Sequence, residues 1–261
     1  DLRLIYDREM PPDLLRFILK KMKIEGEEDA VPGGKYHNHK DFMEFPEIGK
    51  KHHYYQKLPP FRHKDLPLHT SILKVLRRKD VMLHYPYQMF LHFIDLLREA
   101  AIDPQVEEIG ITLYRVASDS KVVNALLNAI RNGKNVTVVI ELQARFDEEA
   151  NIFWSNKLQE EGANVINGIA GLKVHSKLLW IKRLEGSVTR NYAYIGTGNF
   201  NESTARIYAD EGLMTSDPRL ADEVANVFEF FKHNYKHFEY RNLIVSPFNM
   251  CSFFVKMINR E

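Results

Sequence analysis

The sequence predicts an α/β fold in which a mixed or parallel sheet is flanked by helices and preceded by part of a helical head. Three observations carry this. From Val81 onward, short apolar runs alternate with stretches of helical periodicity. The run VTVVIEL at 136–142 is apolar and rich in β-branched residues, as in a strand buried on both faces. Glycines stand where helices should stop, at Gly133 and Gly162.

Taken in order, Pro11-Pro12-Asp13 opens an amphipathic helix with Leu14, Leu15, Ile18, Leu19 and Met22 at helical spacing, ending near Glu25-Gly26. Residues 31–64 mix Pro, Gly, His and aromatics without periodicity, which is connector composition. Residues 87–101 read as a helix with Phe90, Phe93, Ile94 and Leu97 on one face. A strand follows at 106–113, then a helix at 119–132 and the strand at 136–142. Asp147 caps a helix reaching Glu161, with Glu148 and Glu149 in the first turn, where the helix dipole favours acids. Short strands are expected at 163–166, 178–181 and 192–195, and a last long helix at 218–233. After Arg241 a new segment begins, strand-like and then helix-like, and reads as the start of a second domain. Ile244, Val245, Phe248, Phe253 and Phe254 are expected to be poorly anchored there.

Composition narrows the class. With 44% apolar and 27% charged residues this is an ordinary soluble globular sequence, and no apolar run approaches a membrane span. The charged N-terminus lacks a signal-peptide core and suggests the interior of a longer chain. The single Cys251 allows no intrachain disulfide, consistent with a reducing cytoplasm. Net charge is only +1, but Arg62, Lys64, Lys74, Arg77, Arg78 and Lys79 face only Asp65 and Asp80 between positions 62 and 80. That stretch suits a polyanion, or is a solvated basic face.

Three groups of residues carry chemistry. In Lys173-Val174-His175-Ser176-Lys177, the strand period of two puts His175 and Lys177 on one side. The ammonium disfavours imidazolium, and a neutral imidazole is a competent nucleophile. The same cation can hold phosphoryl oxygens. A lone His-x-Lys is also found as plain surface. The second group is Gly196-Thr197-Gly198-Asn199 after an apolar strand, where backbone N–H groups can face an anion, unless it is simply a tight turn. The third is Arg115 and Arg145, each after a strand that precedes a helix, so that both can overlie one sheet edge. Guanidinium forks fit phosphate bidentately, and pairing with Asp119 or Asp147 is the alternative.

The segments LHYPYQMF (83–90), TLYR (112–115), ELQARFDEEANI (141–152), GLKVHSKL (171–178) and GTGNFNESTARIYAD (196–210) together resemble the first catalytic domain of the long polyphosphate kinases. The resemblance extends to DLRLIYDREMP at the head and VSPFNM near the tail. It implies a phospholipase D-like sheet. The implied domains are the end of a helical head domain at 1–61, a first catalytic domain at 62–242 and the start of a second at 243–261.

The implied activity is reversible transfer of the ATP γ-phosphate to inorganic polyphosphate through a phosphohistidine, with the isolated segment inactive. By motif, His175 matches the phosphorylated histidine, Tyr208 a nucleotide-contacting tyrosine, and Arg115 and Arg145 the arginines associated with the Mg²⁺–phosphate site. A guanidinium is cationic and has no acceptor, so its link to Mg²⁺ runs through phosphate oxygens. Lys177 would balance phosphoryl charge, and Asn199 would belong to the phosphate-binding turn. The implied partners are ATP, ADP and polyphosphate, with no nucleic acid. The full-length protein would be a homo-oligomer and admits peripheral membrane association.

Two other functions remain. Phosphodiesterases and nucleases of the phospholipase D type carry HxKx4D, but Lys182 stands at the Asp position here. A non-catalytic polyanion-binding segment is the other, and ATP turnover would separate it from a kinase.

Overall fold

The computed structural model describes residues 3–24, 26–36, 38, 39, 42, 45–56, 58–117, 119–141 and 148–261. The chain forms two compact units, 1–57 and 58–261. In the first, strand β1 (Leu4–Asp7) and helix α1 (Pro12–Met22) are followed by strand β2 (Ala30–Gly33), which pairs parallel to β1. Pro12 opens α1, where its missing N–H costs nothing, and Lys23 closes it in the left-handed region at φ 56°. The expected helix is therefore present. The β1–β2 pair was not legible, because four-residue strands carry too little alternation.

The second unit begins with α2 (Ile72–Leu76), β3 (Val81–Tyr85), α3 (Leu91–Ile102), β4 (Val106–Leu113), α4 (Lys121–Arg131) and β5 (Asn135–Ile140). It continues through α5 (Glu148–Glu160), β6 (Asn164–Asn167), β7 (Lys177–Glu185), β8 (Val188–Gly196), β9 (Asp210–Thr215), α6 (Pro218–Lys232) and α7 (Met250–Ile258). Seven strands form one mixed sheet in the order β3-β9-β8-β7-β4-β5-β6. β4, β5 and β6 run parallel, and the remaining pairings are antiparallel.

Each face of the sheet has its own core. Phe93 and Leu97 of α3 and Val122 and Leu126 of α4 pack with Ile111, Leu179, Tyr194 and Met214. On the opposite face, Ala221, Val224 and Phe228 of α6 pack against Trp180 and Ala193. Ser120 caps α4 by accepting from Val123 N–H at 3.2 Å. Asp217 does the same for α6 through Arg219 N–H at 2.9 Å. The cap expected at Asp147 lies outside the described residues.

Three departures from expectation have physical causes. Helix α3 starts at Leu91 rather than at 87 because Phe61 captures that backbone: its N–H donates to Tyr87 O at 2.9 Å, and its carbonyl accepts from Met89 N–H at 3.1 Å. The β7–β8 hairpin extends well beyond its apolar stretch. Its polar end is held by Glu185, which accepts from Tyr192 Oη at 2.6 Å, Arg183 Nη1 at 2.8 Å and Arg190 Nε at 3.1 Å. Burial opposes ionisation of that carboxyl, but these three partners hold it at about 2.

The third departure corrects the expectation for the segment after Arg241. Glu223 accepts from the backbone N–H groups of Arg241, Asn242 and Leu243, at 2.9, 3.1 and 2.7 Å. Leu243, Val245 and Phe248 pack on the α6 core, so residues 241–248 are anchored. Of the residues named in the expectation, Ile244 and, in α7, Phe253 and Phe254 are exposed. No helix among the described residues is long and apolar enough to cross a membrane.

Candidate functional site

The sheet brings several chain segments to one end. There Lys177 opens β7 opposite Gly196, the last residue of β8, which in turn faces Gly212 of β9. Asp210 opens β9 opposite Tyr85, the last residue of β3. The end of β4 supplies Thr112 and the residues just after it, Tyr114 and Arg115.

His175 lies just before β7 rather than within it, yet it does share a side with Lys177. Lys177 Nζ is 3.0 Å from His175 Nδ1 and 2.5 Å from the His175 carbonyl oxygen. An ammonium has no acceptor, so the contact with Nδ1 requires that nitrogen to present its lone pair. The imidazole also meets the Tyr114 ring edge-on, with centroids 4.6 Å apart at 82°. Partial desolvation lowers the His175 pKa below its usual 6.5, and the charges of Lys177, Lys173 and Arg115 lower it further. The imidazole is therefore neutral at pH 7. Lys177 is buried, and burial brings its pKa down from 10.5 to about 8, against the opposing pull of the Asp210 carboxylate.

The geometry of this pair is fixed from β4. The Thr112 hydroxyl donates to the Ser176 carbonyl at 2.7 Å and accepts from Leu178 N–H at 3.0 Å. These are the backbone groups on either side of Lys177. Tyr114 is fixed in turn by Asn151 of α5, whose amide donates to Tyr114 O at 2.9 Å and to Glu141 O at 3.0 Å.

The glycine turn is built around an acid. Thr197 Oγ1 donates to Asp210 Oδ1 at 2.8 Å and accepts from Glu211 N–H at 2.9 Å. Gly198 lies so close to this carboxylate that an added Cβ would stand 2.5 Å from Asp210 Cγ, well inside van der Waals contact. Asn199 holds a buried Oδ1 with no hydrogen-bond partner among the described residues. Beyond it, Glu202 Oε1 accepts from Lys121 N–H at 2.6 Å and Val122 N–H at 3.3 Å, tying the loop to the start of α4.

Of the residues singled out in the sequence, the structure brings His175, Lys177 and Arg115 into one electrostatic neighbourhood. Tyr208 stands exposed in the β8–β9 loop, two residues before Asp210. Arg145 lies outside the described residues. Lys182, at the position where a phosphodiesterase would carry Asp, pairs with Glu108 at 2.8 Å and Glu107 at 3.4 Å. Thr112, Tyr114 and Asp210 were not foreseen as site residues. The available signal was a hydroxyl and an aromatic at alternate positions where an apolar strand ends, in TLYR.

No site for a protein-held divalent ion is formed among the described residues. Among the described residues no three His, Cys, Asp or Glu side chains cluster to hold a metal. The side chains around His175 are mainly cationic, whereas a hard cation takes oxygen ligands.

Residues 71–237 match the family model for polyphosphate kinase C-terminal domain 1. A polyphosphate kinase of Vibrio parahaemolyticus is 47% identical over 99% of this chain, and one of Escherichia coli K12 is 46% identical over the same share. The chain spans 37% and 38% of the lengths of those two proteins. The crystal structure of polyphosphate kinase from Porphyromonas gingivalis superposes on 99% of this chain with a TM-score of 0.79 and 35% identity, covering 41% of that protein. This chain belongs to the polyphosphate kinase family.

Proposed function

We propose that this chain carries the phosphoryl-accepting half of an ATP:polyphosphate phosphotransferase, with His175 as the group that bears the phosphoryl. The observation that supports this most is the 3.0 Å contact between Lys177 Nζ and His175 Nδ1. It joins a neutral nucleophile to a cation that an incoming phosphate can draw away.

In the resting site the ammonium occupies the imidazole lone pair. A γ-phosphoryl group arriving as Mg·ATP offers oxygens that bind the ammonium more strongly than a neutral nitrogen does. Lys177 turns to those oxygens, and the freed imidazole attacks with whichever nitrogen then carries the lone pair. An N–P bond forms and the bond from phosphorus to the bridging oxygen breaks, with ADP leaving on that electron pair. A terminal oxygen of polyphosphate then attacks phosphorus, and the N–P electron pair returns to the imidazole. Phosphoryl transfer of this kind depends mainly on positioning and positive charge. Arg115, Arg145 and Lys177 supply that charge, and the Gly196–Asn199 turn bounds the site. Tyr208 contacts the nucleotide. Mg²⁺ enters as part of the nucleotide substrate, bound to phosphate oxygens rather than to side chains.

Because the chain spans little more than a third of its relatives, binding and turnover are expected to separate. Calorimetric titration of the chain with tripolyphosphate at two salt concentrations should show binding that weakens as salt rises. An assay for polyphosphate synthesis from ATP should show little or none. Absence of tripolyphosphate binding at low salt would overturn the reading.

A further inference from the structure

A second lysine, outside the His-x-Lys motif, is held beside the same histidine by an aromatic ring. Lys173 Nζ lies 5.8 Å and Lys177 Nζ 5.3 Å from the centroid of Tyr114, and the edge-on contact of that ring with His175 completes the group. Both ammonium groups are within the range in which a ring quadrupole attracts a cation. Three like-charged groups around one imidazole repel one another, so an arrangement that gathers them without a carboxylate on Lys173 needs another source of attraction. Lys173 makes no ion pair among the described residues, and the ring face supplies that attraction.

The backbone that carries the ring is anchored. Tyr114 O accepts from Asn151 Nδ2, and Asn151 is fully buried. Gly171, at φ 76°, turns the chain two residues before Lys173.

We propose that Lys173 is a second ammonium ligand for the phosphoryl group that His175 carries, and that Tyr114 is the positioning residue that holds both lysines beside the imidazole until phosphate arrives. This rests on the reading of His175 as the phosphoryl carrier. Attraction to a ring face is weaker than a charge-assisted hydrogen bond to a phosphate oxygen. Both lysines therefore leave the ring for the oxygens when the anion binds, and return when it departs. A carboxylate in place of the ring would hold the lysines too tightly and would also repel the phosphate. Two ammonium groups approaching from opposite ends of the His175 segment can each take a different phosphoryl oxygen.

The test compares Lys173→Met, Lys173→Arg, Tyr114→Phe, Tyr114→Leu and the Tyr114→Leu/Lys173→Met double variant. Tripolyphosphate affinity and melting temperature are measured on this chain, and phosphate on His175 is measured in the intact enzyme. Lys173→Met is expected to weaken tripolyphosphate binding about tenfold, with its salt dependence reduced and its melting temperature unchanged. Lys173→Arg and Tyr114→Phe should stay within about twofold of wild type, since charge and ring are kept. Tyr114→Leu should resemble Lys173→Met, and the double variant should be less impaired than the product of the two single losses, as coupled residues require. Unchanged affinity in Lys173→Met, or fully multiplicative losses in the double variant, would overturn the proposal while leaving the His175 reading intact. Wild-type enzyme that carries no phosphate on His175 would overturn that underlying reading and the proposal with it.

Discussion

Lys177 Nζ rests 3.0 Å from His175 Nδ1, so the nucleophile and the charge that serves it are in contact before any substrate is present. Their pKa values move in ways that define a working window. His175 is depressed below 6.5 by partial desolvation and by the nearby cations, and Lys177 is lowered to about 8 by burial.

The competent state, neutral His175 with charged Lys177, exists above the lowered pKa of His175 and below about 8. The kcat/KM of the intact enzyme, which reports free-enzyme groups, should therefore fall on the acid side below 6.5 and on the alkaline side near 8. Lys177→Met should lose the alkaline limb together with most of the activity. It should also melt higher, not lower, at pH 7. Between about 8 and 10.5 the folded state binds fewer protons at Lys177 than the unfolded chain does, so the charged lysine opposes folding below that range. A profile with an unchanged alkaline limb, or a lower melting temperature, would count against this assignment.

Thr112 should matter to both stability and chemistry. Thr112→Val keeps the shape but leaves Ser176 C=O and Leu178 N–H without their partner. Chemical denaturation should show a loss of about 1–3 kcal/mol, the usual cost of stranding a buried polar group. Thr112→Ser should recover most of it, and tripolyphosphate affinity should follow the same order.

At the turn, Gly198→Ala should displace Asp210 from Thr197, because the new methyl falls inside contact distance of the carboxylate. The expected readout is weaker tripolyphosphate binding with a modest fall in melting temperature. Wild-type affinity in this variant would show that the turn does not border the anion site.

For the arginines, Arg115→Ala or Arg145→Ala in the intact enzyme should reduce turnover roughly a thousandfold, by analogy with arginines that balance a transferring phosphoryl group. Arg115 is partly exposed and should contribute little to folding, so its melting temperature should barely move. Near-normal turnover in both variants would make them ordinary surface residues.

How much of this was legible depended on where the information lies. Helices α1, α3, α4, α5 and α6 and the buried strands β4 and β5 announced themselves through periodicity and end signals. Strand β3 was missed because its VMLHY run is short, and β9 because DEGLMT begins with two acids and a glycine. Neither reads as a strand until its neighbour is known, since β3 and β9 pair with each other although far apart in sequence. At the site, spacing placed His175 and Lys177 on one side correctly but assigned both to a strand that starts only at Lys177. Thr112, Tyr114 and Asp210 depend on β4 and β9 lying on either side of the β7–β8 hairpin. That is a tertiary fact, which no local pattern encodes.

The central claim is tested most directly by incubating the intact enzyme with ATP radiolabelled at the γ-phosphate and mapping the label. A phosphoimidazole is expected on His175, labile in acid and stable in base, absent from His175→Ala, and discharged when polyphosphate is added. Label that survives acid, or that persists in His175→Ala, would contradict the account.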